Sequence, residues 1–271
     1  MVLAALSAML AISNVTSRQA SGGLVGNAAL RGPLNSTHSM AAVSQTHQGG
    51  EAPCQCEASN SAWVPSTRTV PKCIWIDLGA ADGNSFQSFL SNQYGPVANC
   101  PNGEWEAFLV EANPRFEAQL QQQVARFAGA VKSFSSTAAY DCEGTTTFYL
   151  DTTSHAYNYW GSSLSSKAGD VQRSGYQHVD VKLININRLI LENTIPGDWV
   201  MLKMDIEGAE WDVIPCLAQA PAASLVDRLY MEVHGADLSL AGTTPAQFEA
   251  AKAALKQKGV DIPDNYFSNT L

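Results

Sequence analysis

Short apolar runs alternate with helix-compatible segments over most of this chain, and several of the runs end in an acid. Residues 73–77, 105–111, 131–140, 179–184, 199–205 and 229–233 have the length and the β-branched and aromatic content of strands. Residues 145–150 alternate as a further strand. Residues 85–94, 114–127, 186–192, 207–217 and 245–258 carry helical spacing, with Pro114 near a helix start, where its missing N–H costs nothing. Residues 157–175 are irregular and interrupt the alternation. This β-α-β-α order predicts an α/β fold, a doubly wound and mainly parallel sheet with helices on both faces. Right-handed crossovers then bring the strand C-termini, and the ligand chemistry, to one edge.

The first 65 residues are a different kind of sequence. No Asp or Glu precedes Glu51, and residues 19–62 are rich in Gly, Ser, Ala, Asn and Thr without sustained periodicity. Residues 1–20 begin with an uncharged apolar run that fits a signal-peptide core, although no Lys or Arg precedes it. The acid-free composition also fits an organelle transit peptide. The chain therefore divides into a targeting segment at 1–20, a linker at 21–65 and one globular domain at 66–271. The expected location is the secretory pathway or outside the cell, with an organelle as the alternative. Net charge is −9, which disfavours a nucleic-acid partner. No specific protein partner is implied. Of the six cysteines, Cys73 and Cys216 lie in apolar runs and read as buried thiols. Cys54, Cys56, Cys100 and Cys142 lie in polar loops, where disulfides form in an oxidising compartment.

The chemistry concentrates at the strand ends. Trp75-Ile-Asp-Leu-Gly-Ala-Ala-Asp-Gly-Asn84 reads as strand, glycine loop and helix start, the entry to a nucleotide-type site. Asp77, Gly79, Ala80, Gly83 and Asn84 are its candidate cofactor residues. Glu111 ends the next strand, where an acid can accept hydrogen bonds from both hydroxyls of a ribose. The middle glycine of a dinucleotide fingerprint is absent, and an acid precedes the first glycine. A carboxylate there repels a pyrophosphate and attracts the ammonium and sulfonium of S-adenosylmethionine. None of the eight tyrosines is followed by a lysine four residues later, so the usual short-chain dehydrogenase pair is also missing. Asp205 and His234 end two later runs and are expected on neighbouring strands. His234 is the candidate base that takes an acceptor proton, and Glu207 is a further catalytic candidate. Asp205, Glu207, Glu232 and His234 together offer metal ligands, but Glu207 and Glu210 read as first-turn helix acids, favoured there by the dipole. No metal is assigned.

Five segments then resemble FkbM-type methyltransferases in order. They are Ile76-Asp-Leu-Gly-Ala-Ala-Asp-Gly83, Leu109-Val-Glu-Ala-Asn-Pro114, Ala138-Ala-Tyr-Asp-Cys-Glu-Gly144, Leu202-Lys-Met-Asp-Ile-Glu-Gly-Ala-Glu210 and Leu229-Tyr-Met-Glu-Val-His234. The resemblance covers about residues 72–260. It implies a class I, Rossmann-like fold that uses S-adenosylmethionine, usually to methylate a hydroxyl of a sugar or secondary metabolite. By that resemblance Glu111, with Asn113 in the same motif, holds the ribose. Thr137 and Ala138 border the adenine, and Asp205 lies near the methionine amino group or the transferred methyl. The short tail after Gly259 leaves little chain for a closing hairpin, so the strands at 145–150 and 179–184 are expected to extend the sheet elsewhere. Tyr157, Trp160, Ser162 and Ser163, in the interrupting segment, are candidates for contacting a small-molecule or saccharide acceptor. Two rival classes stand beside this reading: a nicotinamide-dependent oxidoreductase, and a non-catalytic binding protein with an inherited cleft.

Overall fold

The computed structural model describes Cys54, residues 63–95 and residues 100–264. The expected targeting segment and most of the linker lie outside the described residues. Five parallel strands form the main sheet: β1 (Cys73–Leu78), β2 (Trp105–Glu111), β3 (Val131–Ser135), β7 (Trp199–Met204) and β8 (Arg228–Met231). Their order is β3-β2-β1-β7-β8, so the winding reverses between β1 and β7. That reversal opens a crevice at the strand C-termini, the place where doubly wound sheets bind ligands.

The β1 strand is buried on both faces, which is why it reads as an unbroken apolar run rather than an alternating one. Ile74, Ile76 and Leu78 face one way, onto Leu189 of α4 (Ile186–Asn193), Ile214 of α5 (Glu210–Gln219) and Phe248 of α6 (Pro245–Gln257). Trp75 faces the other, packing with Phe86 and Phe89 of α1 (Asn84–Leu90) and Leu120 of α2 (Glu117–Arg126). Helices thus cover both faces, as the alternation predicts. The α6 helix starts at a capping box, in which Thr244 and Gln247 satisfy each other's backbone N–H, with Pro245 at the first position.

Three expectations are corrected. The run at 131–140 is two strands, because Ser136 adopts a left-handed backbone with φ 50°. The second of them, β4 (Thr137–Tyr140), leaves the main sheet. It pairs with β6 (His178–Asn185), which also pairs antiparallel with β5 (Gly144–Tyr149). The strands expected to extend the main sheet therefore make a separate three-stranded sheet, ordered β4-β6-β5.

The second correction concerns the buried cysteines. Cys73 is bonded to Cys100 and Cys216 to Cys54, and Cys142 is disulfide-bonded as well. An apolar setting hides a cystine as well as a thiol, so the runs around Cys73 and Cys216 did not reveal their partners. The Cys54 bond also shows that chain before residue 66 is tied to the domain. The third correction is the start of α5, at Glu210 rather than Glu207. Glu207 sits in the preceding turn with φ 52°, so a helix dipole does not account for its acid.

Candidate functional site

The floor of the site lies at the reversal between β1 and β7. Asp205, just past β7, donates its backbone N–H to the Leu78 carbonyl at 3.0 Å. Gly79, just past β1, has φ 78°, and a Cβ on it would lie 1.8 Å from the Asp205 carbonyl oxygen. Only glycine closes this floor. Beneath it Asp77 is fully buried, accepting from the Ser85 hydroxyl at 2.5 Å, with the Lys203 ammonium at 3.3 Å. Burial pushes the Asp77 carboxyl up against the opposing pull of Lys203 and Ser85. Lys203 also donates to the Gly79 carbonyl at 2.7 Å and lies 3.7 Å from Asp205. Asp77 therefore supports the glycine loop from below and does not face the cleft.

Glu111, the last residue of β2, is held from two sides. Its carboxylate accepts from the backbone N–H of Ala81 at 2.7 Å and of Asn113 at 2.6 Å. Burial lifts its pKa to about 7, while those two N–H groups and Lys203 pull down and Asp77 pushes up. The Asn113 side chain accepts from the Arg115 N–H and donates to the Ser162 hydroxyl, linking the second motif to the interrupting segment. That segment, which the sequence left irregular but which includes the short helix α3 (Gly169–Arg173), roofs the cleft. Ser163 donates to the Glu207 carbonyl at 2.6 Å, Asn158 donates to Asp82 at 3.1 Å, and the Arg115 guanidinium stacks 3.6 Å above the Tyr159 ring.

At the open end, one imidazole sits among carboxylates. Glu210 is fully buried and accepts from the backbone N–H of Gly208 and of His234, and pairs with His234 Nδ1 at 3.0 Å. His234 Nε2 lies 3.4 Å from Glu207, 3.9 Å from Asp205 and 4.0 Å from Glu232. Burial lowers the imidazole pKa, but the hydrogen bonds and charges of Glu207 and Glu210 outweigh it and lift it to about 11. This environment favours the charged imidazole and so works against the expected role of His234 as a base. A protonated imidazole has no lone pair with which to take an acceptor proton. The expected adjacency does hold, since β7 and β8 are parallel neighbours.

These surfaces enclose a cavity of about 410 Å³, within the usual range for small-molecule sites. Of the expected cofactor residues, Gly79, Asn84, Glu111, Asn113, Thr137, Ala138 and Asp205 line it. Ala80 and Gly83 do not; Ala80 packs into the core and Gly83 precedes α1. Tyr157, Trp160, Ser162 and Glu207 line it, whereas Ser163 and His234 stand outside the lining. Lys203 and Ser85 belong to the site and were not singled out for it in the sequence. A lysine inside an apolar strand run is the signal that could have found Lys203, because it needs a buried counter-charge.

A family model described as Methyltransferase FkbM domain matches residues 77–259. The chain belongs to the FkbM methyltransferase family. The matched span begins at Asp77 and contains the glycine loop, Glu111, the small sheet with its roof, and the acid–imidazole cluster. The FkbM assignment thus covers every wall of the cavity. No curated protein and no solved structure matches the chain.

Proposed function

We propose that this FkbM-family protein is an S-adenosylmethionine-dependent methyltransferase acting on a hydroxyl of a sugar or small metabolite. The observation that carries the reading is the Glu111 carboxylate. It ends β2, faces the cavity and is oriented by the Ala81 and Asn113 N–H groups. That placement suits a ribose whose two hydroxyls donate to one carboxylate. The rest of the lining fits the same ligand. Gly79 lets backbone approach closely, Thr137, Ala138 and Phe148 offer a mainly apolar wall for a flat base, and Asp205 sets negative charge where a cationic amino-acid end would lie.

When bound, the cofactor supplies a methyl carbon activated by its sulfonium. The protein's own part is alignment, exclusion of water and a path for the acceptor proton. Tyr157 and Trp160 in the roof present aromatic faces to an acceptor, while the Ser162 hydroxyl is taken up by Asn113, the Asp151 N–H and the Tyr159 carbonyl. The groups at hand to receive its proton are the carboxylates of Asp205, Glu207 and Glu232. The same acidic end disfavours an anionic acceptor. We further propose that the protein works in the secretory pathway or outside the cell, a reading supported by the disulfides of Cys73 and Cys216.

Calorimetry tests the cofactor. S-adenosylmethionine or S-adenosylhomocysteine should bind in the micromolar range, about −8 kcal/mol. Glu111→Ala should weaken binding by roughly 1–3 kcal/mol, because buried donors lose a charged acceptor. An absence of binding to the wild-type chain, or tighter binding of NAD, would sink the reading. A screen of saccharides and small metabolites, read by S-adenosylhomocysteine release, then finds the acceptor.

A further inference from the structure

The acid–imidazole cluster at the open end of the cavity is not explained by cofactor binding alone. Asp205, Glu207 and His234 each offer a ligand atom, and the three atoms lie within 4.8 Å of one another. We propose that Asp205, Glu207 and His234 form a binding site for a divalent cation of the manganese or zinc class.

The donor set selects that class. One imidazole nitrogen with two carboxylate oxygens suits first-row transition ions, whereas magnesium and calcium favour oxygen alone. The spacing is close to what such an ion needs. Bonds of about 2.1 Å place neighbouring ligand atoms roughly 3.0–3.4 Å apart in octahedral or tetrahedral geometry. His234 Nε2 is 3.4 Å from Glu207 and 3.9 Å from Asp205, so these two separations are already there or close by about half an ångström, and the three atoms together, within 4.8 Å of one another, draw in further on binding.

A separate observation concerns the support behind the ligands. Glu210 contributes no ligand atom to the group, yet it is fully buried and orients both segments that carry one. Its one carboxylate accepts from the N–H of Gly208, in the turn beside Glu207, and from the backbone N–H of His234, and pairs with His234 Nδ1. A carboxylate on the far nitrogen of an imidazole is the usual support of a metal-bound histidine, and it leaves Nε2 directed at the metal. Charge points the same way. Asp205, Glu207, Glu210 and Glu232 surround a single imidazole, and the nearest ammonium, Lys203, is shared with Asp77. A dication supplies the missing positive charge, and on binding it displaces the Nε2 proton to solvent.

Asp205 and Glu207 line the cavity, so three protein ligands would leave open positions facing its interior. The role of the ion, unlike its binding, rests on the methyltransferase reading. Held by Asp205, Glu207 and His234, such an ion would lower the pKa of an acceptor hydroxyl bound beside it, leaving Glu232, which is not a ligand, to take the proton.

The test uses the full chain, stripped with a chelator and titrated calorimetrically with Mn2+, Zn2+, Mg2+ and Ca2+. We expect one equivalent of Mn2+ or Zn2+ to bind in the micromolar range, with Mg2+ and Ca2+ at least tenfold weaker. His234→Ala and Glu207→Gln should each weaken binding tenfold or more, with circular dichroism and a cooperative melt confirming that each variant is folded. Should one variant fail to fold, the other decides the matter. Millimolar or absent binding of both transition ions, or unchanged affinity in a folded variant, overturns the site. The titration needs no cofactor. Failure to bind S-adenosylhomocysteine with ion binding intact would therefore overturn the methyltransferase reading and leave the metal site standing.

Discussion

Glu111 shows how burial sets the working range of one side chain. Its carboxyl is lifted from 4.5 to about 7, chiefly by burial, so near neutrality it is partly protonated. The charged groups acting on it are Lys203, which lowers its pKa, and Asp77, which raises it. Because the folded-state pKa is the raised one, this residue costs stability progressively as pH rises from about 4.5 to 7, by roughly 3 kcal/mol at most. Ribose hydroxyls donate to the ionised form. Affinity for S-adenosylhomocysteine should therefore climb up to tenfold per pH unit below about 7 and level off above it. Calorimetry between pH 5.5 and 8.5 (a range set about that midpoint) reads this directly. In Glu111→Gln the curve should be weaker and flat, and a flat curve in the wild type would contradict the assignment. Glu111 was legible in the sequence because it ends an apolar run. The charge state of His234 was not. It depends on Glu210, 24 residues away in sequence and brought to Nδ1 only by folding.

Between elements, the β1–β7 pairing joins Asp77 to Lys203 in register. Both side chains are almost wholly buried, so neither charge has water to fall back on. Lys203→Met should cost about 3–5 kcal/mol, because it leaves a carboxylate buried without its cation. Adding Asp77→Asn to that variant should cost less than the sum of the two single changes. Urea unfolding of the double-mutant cycle measures the coupling, and strictly additive losses would rule out an energetic pair. The parallel order of the main sheet followed from the alternation of runs and helices. The break at Ser136 did not, since nothing in Phe134-Ser-Ser-Thr137 marks a turn as glycine would. The late start of α5 was hidden in the same way. Glu207 and Gly208 both adopt positive φ, and only the glycine announces it.

At the scale of the molecule, covalent links span the chain. The Cys54–Cys216 bond joins residues 162 apart, and Cys73–Cys100 joins residues 27 apart. By chain entropy alone these correspond to roughly 5 and 3.5 kcal/mol, the larger value for the longer loop. A reducing cytosol would forfeit that stabilisation. A tagged full-length chain expressed in its native cell should accumulate in the secretory lumen or the medium, and Cys73, Cys100, Cys54 and Cys216 should resist thiol labelling until it is denatured and reduced. A stable cytosolic pool with these thiols free would refute the location. The uncharged apolar run at the start of the sequence and the loop cysteines pointed towards an oxidising compartment, while the acid-free composition also fitted an organelle. The pairing could not be read, because contact between Cys54 and α5 is a property of the folded chain.

The bend at Ser136 has one more effect. Strands β3 and β4 follow each other with a single residue between them, yet they belong to separate hydrogen-bonded ladders. The ladder of the main sheet frames Gly79, Glu111 and Asp205, while the small sheet carries Thr137 and Ala138 and anchors the roof where Tyr149 meets Ser163. Side chains of the wall and roof can change in size without breaking a backbone bond of the floor. Tyr157 and Trp160 of the roof thus stand on a different stretch of backbone from the floor, and on the proposed reading selection can act on acceptor range through them while leaving the floor alone.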